Sequence, residues 1–147
     1  MGLFSALVGV AVDAVSESRR SAKAAEQEAQ MSPEDRAKVD AAIARAEAGD
    51  IHAMVALGNA YAFGNIVGYN PEEAAKWLTK AAHLGDVESM YNLGVLYSGS
   101  DVTHVLYNEN LAGTWFNEAA RRGEPGAIKA MKHYKYNGRT NMWQRVH

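Results

Sequence analysis

The stretch Ala56-Leu57-Gly58-Asn59-Ala60-Tyr61-Ala62-Phe63-Gly64 sets two signals against each other. Its apolar spacing is helical, yet Gly58 stands in the interior, where glycine costs about 1 kcal/mol relative to alanine. A second stretch, Asn92 to Gly99 (NLGVLYSG), repeats the same Leu-Gly-x-x-Tyr. Displacing the chain by 36 residues aligns Gly49/Gly85, Asp50/Asp86, Met54/Met90, Leu57/Leu93, Gly58/Gly94 and Tyr61/Tyr97. Displacing it by 38 aligns Tyr69/Tyr107, Asn70/Asn108, Ala74/Ala112, Trp77/Trp115, Ala81/Ala119, Ala82/Ala120 and Gly85/Gly123. The offset changes once, so the second copy carries two extra residues in one loop, where insertions are best tolerated.

Each copy reads as two helices. The first, from about Ile51 to Ala62, buries Met54, Leu57, Gly58 and Tyr61 at helical spacing, and Gly64 breaks it. The second opens at Asn70 as N-cap, with Pro71 at the first helical position and Glu72 and Glu73 at the positive end of the dipole. It buries Ala74, Trp77, Leu78, Ala81 and Ala82 and stops at Gly85. The next copy repeats this order, with a first helix from Val87 to Tyr97, Asn108 as cap and a stop at Gly123. Gly58 and Gly94 then mark a place where a second helix comes too close for a side chain, near Trp77 and Trp115.

Half-repeats flank the full ones. Upstream, Ser32, Pro33 and Asp35 form a start resembling a capping box, and Gly49 ends a helix that aligns on the second helix of a repeat, with Ala41 at the tryptophan position. Downstream, Gly126 to Tyr136 is expected to form a first helix in which Met131 replaces the leucine and Lys132 the glycine. A lysine at the close-packing position means that stacking stops there, as the ends of solenoids require. The tail from Asn137 is expected to fold back, with Trp143 or Met142 covering the last helix.

The motif Leu57-Gly58-x-x-Tyr61, Gly64, Asn70, Ala74, Trp77, Ala81-Ala82 and Gly85 resembles the Sel-1-like repeat, a relative of the tetratricopeptide repeat. The resemblance covers roughly residues 32–136. The fold expected is all-α, a short right-handed α-solenoid of antiparallel helix pairs. Full repeats run from about 50–85 and 86–123, half-repeat caps occupy 32–49 and 124–147, and an amphipathic then polar helical segment fills 1–31. The second copy departs from the family pattern. Its loop from Ser98 to Asn108 carries Asp101, His104 and Val105 in place of a compact turn, and Gly113 and Thr114 weaken its second helix.

What the resemblance implies about function is a class. Members are adaptor, scaffolding or regulatory proteins that hold another protein in a concave groove. Some short bacterial members are immunity proteins that neutralise a toxic effector, which stands as the alternative. A cysteine-rich subgroup is linked to enzymatic activity, but this chain has no cysteine, which also excludes disulfides and thiolate metal sites.

The residues argue against chemistry in their own right. His52, His83, His104, His133 and His147 form no metal-binding spacing. No nucleophile elbow and no phosphate loop occurs, so neither enzyme activity nor a cofactor is expected. A binding surface is expected instead. With Met54, Leu57, Gly58 and Tyr61 buried, the first helix turns His52, Val55 and Asn59 to the groove, with Phe63 at its mouth. The equivalents are Glu88, Tyr91 and Val95, then Lys129, His133 and Tyr136 in the last half-repeat. Tyr91 has two readings, an interface residue or one packed on a neighbouring helix.

Charge is unevenly placed. From Arg121 onward seven basic residues face one acid, a net of +6, while the preceding 120 residues carry eight basic and sixteen acidic, a net of −8. The basic end suits an acidic protein partner better than nucleic acid, because no base-reading module is present. No window offers the eighteen or more uncharged apolar residues of an ordinary membrane span. Leu3, Phe4, Leu7, Val8, Ala11, Val12 and Val15 share one helical face. That segment, residues 2–16, has three readings: it lies in a membrane interface, binds a partner helix, or folds against a repeat domain. A cytoplasmic chain, peripheral at a membrane in the first reading, is expected; if residues 1–16 are a signal peptide, it is periplasmic or secreted.

Overall fold

The computed structural model describes residues 22–23, 25–99 and 106–146. The readings of residues 2–16, Asp101, His104, Val105 and His147 lie outside them. After the helical residues 25–29 come five helices: α1 (Pro33–Glu47), α2 (Ile51–Phe63), α3 (Pro71–His83), α4 (Val87–Tyr97) and α5 (Glu109–Arg121). A short α6 (Pro125–Ala130) follows, then a 3-10 turn (Met131–His133) and an antiparallel hairpin of β1 (Tyr134–Asn137) and β2 (Met142–Arg145). Helices α2 and α3 pack as one pair and α4 and α5 as the next, with α3 against α4 between them. The chain is thus a short helical solenoid.

The starts follow from the side chains identified in the sequence. Ser32 Oγ accepts the Asp35 N–H at 3.1 Å and donates to Asp35 Oδ2 at 2.8 Å. Asn70 and Asn108 accept the N–H groups of Glu73 and Leu111, each at 3.0 Å. The joints between repeats share a geometry that the glycine matches alone do not reveal. Gly49, Gly85 and Gly123 adopt φ of 97°, 96° and 88°, which closes α1, α3 and α5 in left-handed turns. The residue after each glycine, Asp50, Asp86 or Glu124, donates its N–H back to Arg45, Ala81 or Ala119. Its side chain then caps the next helix at Ala53, Ser89 or Ala127. The Arg45 guanidinium and then the Ala53 N–H hold the Asp50 carboxyl below its ordinary range. One Gly-acid pair therefore ends one helix and starts the next.

The loops within the repeats are closed by a common bond. Tyr61 O accepts from Asn70 N at 3.0 Å, and Tyr97 O accepts from Asn108 N at 2.8 Å. The two extra residues of the second loop lie between the same fixed ends.

The core runs between the helix pairs. Met54, Leu57, Gly58 and Tyr61 are buried on α2, and Met90, Leu93 and Gly94 on α4, as the spacing predicts. The close approach exists but involves different partners. A Cβ on Gly58 would lie 2.6 Å from Leu78 Cγ, and one on Gly94 would lie 2.5 Å from Phe116 Cδ1. Leu78 and Phe116 follow Trp77 and Trp115, and one residue turns the side chain by about 100°. Trp77 is buried with Lys80 Nζ 4.5 Å over its ring, and the Trp115 ring lies 6.0 Å from that of His83.

The C-terminal end corrects the sequence reading. The helix expected over Gly126 to Tyr136 ends at Ala130, and a hairpin follows. Tyr134-Lys135-Tyr136 has the alternation and aromatic content of a strand. Asn137-Gly138 opens the turn, where Asn137 Oδ1 accepts the Arg139 N–H at 3.0 Å. Asn141 completes it at φ 57°. The tail does fold back, but over α5 and not over the last helix. A Cβ on Gly113 would lie 2.6 Å from Trp143 Cγ and 3.1 Å from Tyr134 Cδ1. Gly113 is therefore a seat for the hairpin as well as a weak point in the helix. Met142 is exposed, and so is Lys132.

Candidate functional site

Helix α2 buries Ala53, Met54, Leu57, Gly58 and Tyr61, so the opposite stripe faces out. His52 and Phe63 are exposed there, and Val55 and Asn59 are half-buried. On α4 the matching stripe holds exposed Glu88 and half-buried Tyr91 and Val95. Asn92 Nδ2 donates to Asn59 Oδ1 at 3.1 Å, which ties the two stripes together. The sequence reading missed Asn92. It occupies the position of Ala56 in the other copy, so a search for matching residues passes over it.

Tyr91 is partly structural. Its ring lies 5.9 Å from Phe116 at 49°, and a Cβ on Gly126 would lie 2.8 Å from Tyr91 Cε2. The ring fills the corner between α4, α5 and α6. Lys129 is exposed on α6. His133 and Tyr136 do not continue the stripe: His133 ends the 3-10 turn and Tyr136 lies in β1. Tyr136 packs on Trp143 with ring centroids 5.3 Å apart and donates its hydroxyl to Asn141 Oδ1 at 2.7 Å. The expected third row of the groove is thus reduced to Lys129.

Phe63 keeps 73% of its surface exposed, and Ile66 in the adjoining turn keeps 54%. Gln27 Nε2 donates to Gly64 O at 3.3 Å, so the helical residues 25–29 reach this end of α2. Burial, then the charges of Glu28 and Glu73, push the Tyr61 hydroxyl up. Among the described residues no group of three or more histidines or acids could hold a metal ion, and no helix is long and apolar enough to cross a membrane.

Stacked helix pairs with an open stripe along their first helices define a helical-repeat binding scaffold. The Sel1 repeat model matches residues 51–86 and 87–124, which is 36 and 38 residues, 74 of 147. The chain belongs to the Sel1 repeat family. It is similar to the crystal structure of a Sel1 repeat protein from Oxalobacter formigenes, at 29% identity and a TM-score of 0.53, over 64% of this chain and 69% of that one. It is also similar to a protective antigen present in uropathogenic Escherichia coli strains displaying an SLR fold, at 28% identity and a TM-score of 0.57. That match covers 63% of this chain but only 20% of the antigen's. No curated protein matches the chain. Sel1 repeat proteins are generally protein–protein interaction modules built on a non-catalytic repeat scaffold.

Proposed function

We propose that this chain is an adaptor, scaffold or regulatory binder that holds a segment of another protein against the stripes of α2 and α4. The supporting observation is the open row His52, Val55, Asn59, Glu88 and Val95, bridged by the Asn92–Asn59 bond. Val55 and Val95 offer apolar surface that the repeats leave half covered, and Asn59, His52 and Glu88 give it a polar rim. Interfaces commonly pair an apolar centre with such a rim.

Photo-crosslinkers placed at Val55 and at Val95 in the native cell test this. Both positions are expected to capture the same protein, and a crosslinker at exposed Lys76 on α3 is expected not to. Equal capture from Lys76, or no capture from a folded variant, would refute the assignment of the face. The partner's identity separates the finer readings. Several housekeeping proteins mark an adaptor; a single toxic effector marks an immunity protein.

A further inference from the structure

We propose that the outer edge of β1 is a docking site for an extended acidic segment of a partner protein, which joins the hairpin as a third strand. The register pairs Lys135 with Gln144 and Tyr136 with Trp143, and Val146 N donates to His133 O at 2.8 Å. Hydrogen-bonded pairs alternate along an antiparallel ladder, so the main-chain groups of Tyr134 and Tyr136 point away from β2. The corresponding outward N–H groups of β2 are occupied: Trp143 N donates to Asn110 Oδ1 at 2.9 Å, and Arg145 N to Glu109 Oε2 at 3.4 Å. Helix α5 thus covers the β2 edge. On β1, Tyr134 N donates to Met131 O. The Tyr136 N–H and the carbonyls of Tyr134 and Tyr136 have no partner among the described residues.

The edge is held in place. Tyr134 packs on Phe116 at 5.6 Å and on Gly113, and Tyr136 packs on Trp143. Its charge selects the occupant. Lys135 stands between the two tyrosines, with Lys132 before it and Arg139 after it, all exposed. None of the three has a carboxylate partner among the described residues. Lysine on an edge strand normally discourages pairing with a second copy, and two β1 edges would bring like charges together. An acidic strand meets no such barrier: main-chain bonds supply affinity and the cations supply selectivity. Single-stranded nucleic acid fits less well, since it needs a series of free aromatic faces, and Tyr134 is packed on Phe116 while one side of Tyr136 is taken by Trp143. The site is independent of the α2–α4 stripe.

The probe is a short capped peptide alternating glutamate and valine, titrated into the isotope-labelled full chain. Amide shifts are expected to centre on Tyr134 to Asn137, with exchange at the Tyr136 N–H slowed. Lys135→Glu, at an exposed position, is expected to weaken binding by about tenfold or more. Lys76→Glu, at an exposed position on α3, is expected to leave it unchanged, and a peptide alternating lysine and valine is expected not to bind. No binding, binding without slowed exchange at Tyr136, or indifference to Lys135→Glu would overturn the proposal. So would an oligonucleotide that displaces the peptide and binds more tightly, or self-association of the free chain that protects Tyr136 by itself.

Discussion

Gly58 and Gly94 hold the same place in the repeat but meet different neighbours. A methyl group on Gly94 would run into the Phe116 ring, which is flanked by Tyr91 at 5.9 Å and Tyr134 at 5.6 Å. A methyl on Gly58 would meet the side chain of Leu78, whose branched end has more freedom to adjust. Alanine gains about 1 kcal/mol of helix propensity at either site, whereas overpacking costs about 1–3 kcal/mol. Gly94→Ala is expected to lower the melting temperature by up to roughly 8 °C, and Gly58→Ala by less. Thermal unfolding followed by circular dichroism checks both; a Gly94→Ala chain melting at or above wild type would contradict the close approach. Ser89 presents the reverse case. Its hydroxyl is fully buried without a hydrogen-bond partner among the described residues, and Ala53 fills the equivalent position of the first repeat. Ser89→Ala should therefore stabilise the chain by about 1 kcal/mol, because an unmade buried hydrogen bond is a cost. Denaturant titration measures it, and destabilisation would refute it.

The elements divide by how local their determinants are. Helices α1 to α5 were legible because each carries its cap beside it, and the pair α2–α3 recurs as α4–α5. The hairpin was not, because what holds it lies far away in sequence: Asn110 receives the Trp143 N–H from 33 residues on, and Gly113 receives the indole. The Asn137-Gly138 turn signal was present, but the repeat period carried the helical reading up to it, over the residues that form β1. A two-stranded hairpin is marginal alone, so this one depends on α5. That dependence predicts coupling between Gly113 and Trp143. In the wild-type background Gly113→Ala should destabilise, since the new methyl would displace Trp143. In a Trp143→Gly background, which removes the Cβ and the ring together, the same substitution should cost less, because only the Tyr134 contact at 3.1 Å remains against the propensity gain of about 1 kcal/mol. A double-mutant cycle in urea measures the coupling. Additive effects would show that Gly113 and Trp143 do not share the seat.

At the scale of the molecule, each pair of helices is stabilised by its neighbours, so the ends should be its weakest parts. Leu78 and Leu93, on α3 and α4, are among the largest fully buried side chains, whereas α1 buries only Ala46 and α6 only Ala127. The same gradient limits how far the sequence placed the proposed stripe. On α2 and α4, where the repeat is complete, its residues lie at exposed or half-buried positions. The stripe fails at His133 and Tyr136, where the chain leaves the repeat for the hairpin. Local opening follows buried apolar area. Amide exchange in the full chain is expected to be slowest in α3 and α4 and at least about tenfold faster in α1, α6 and the hairpin, a gap of ~1.4 kcal/mol or more. Exchange read by mass spectrometry at several denaturant concentrations resolves the elements. Uniform protection from α1 to β2 would contradict the gradient and show that the chain opens as one cooperative unit.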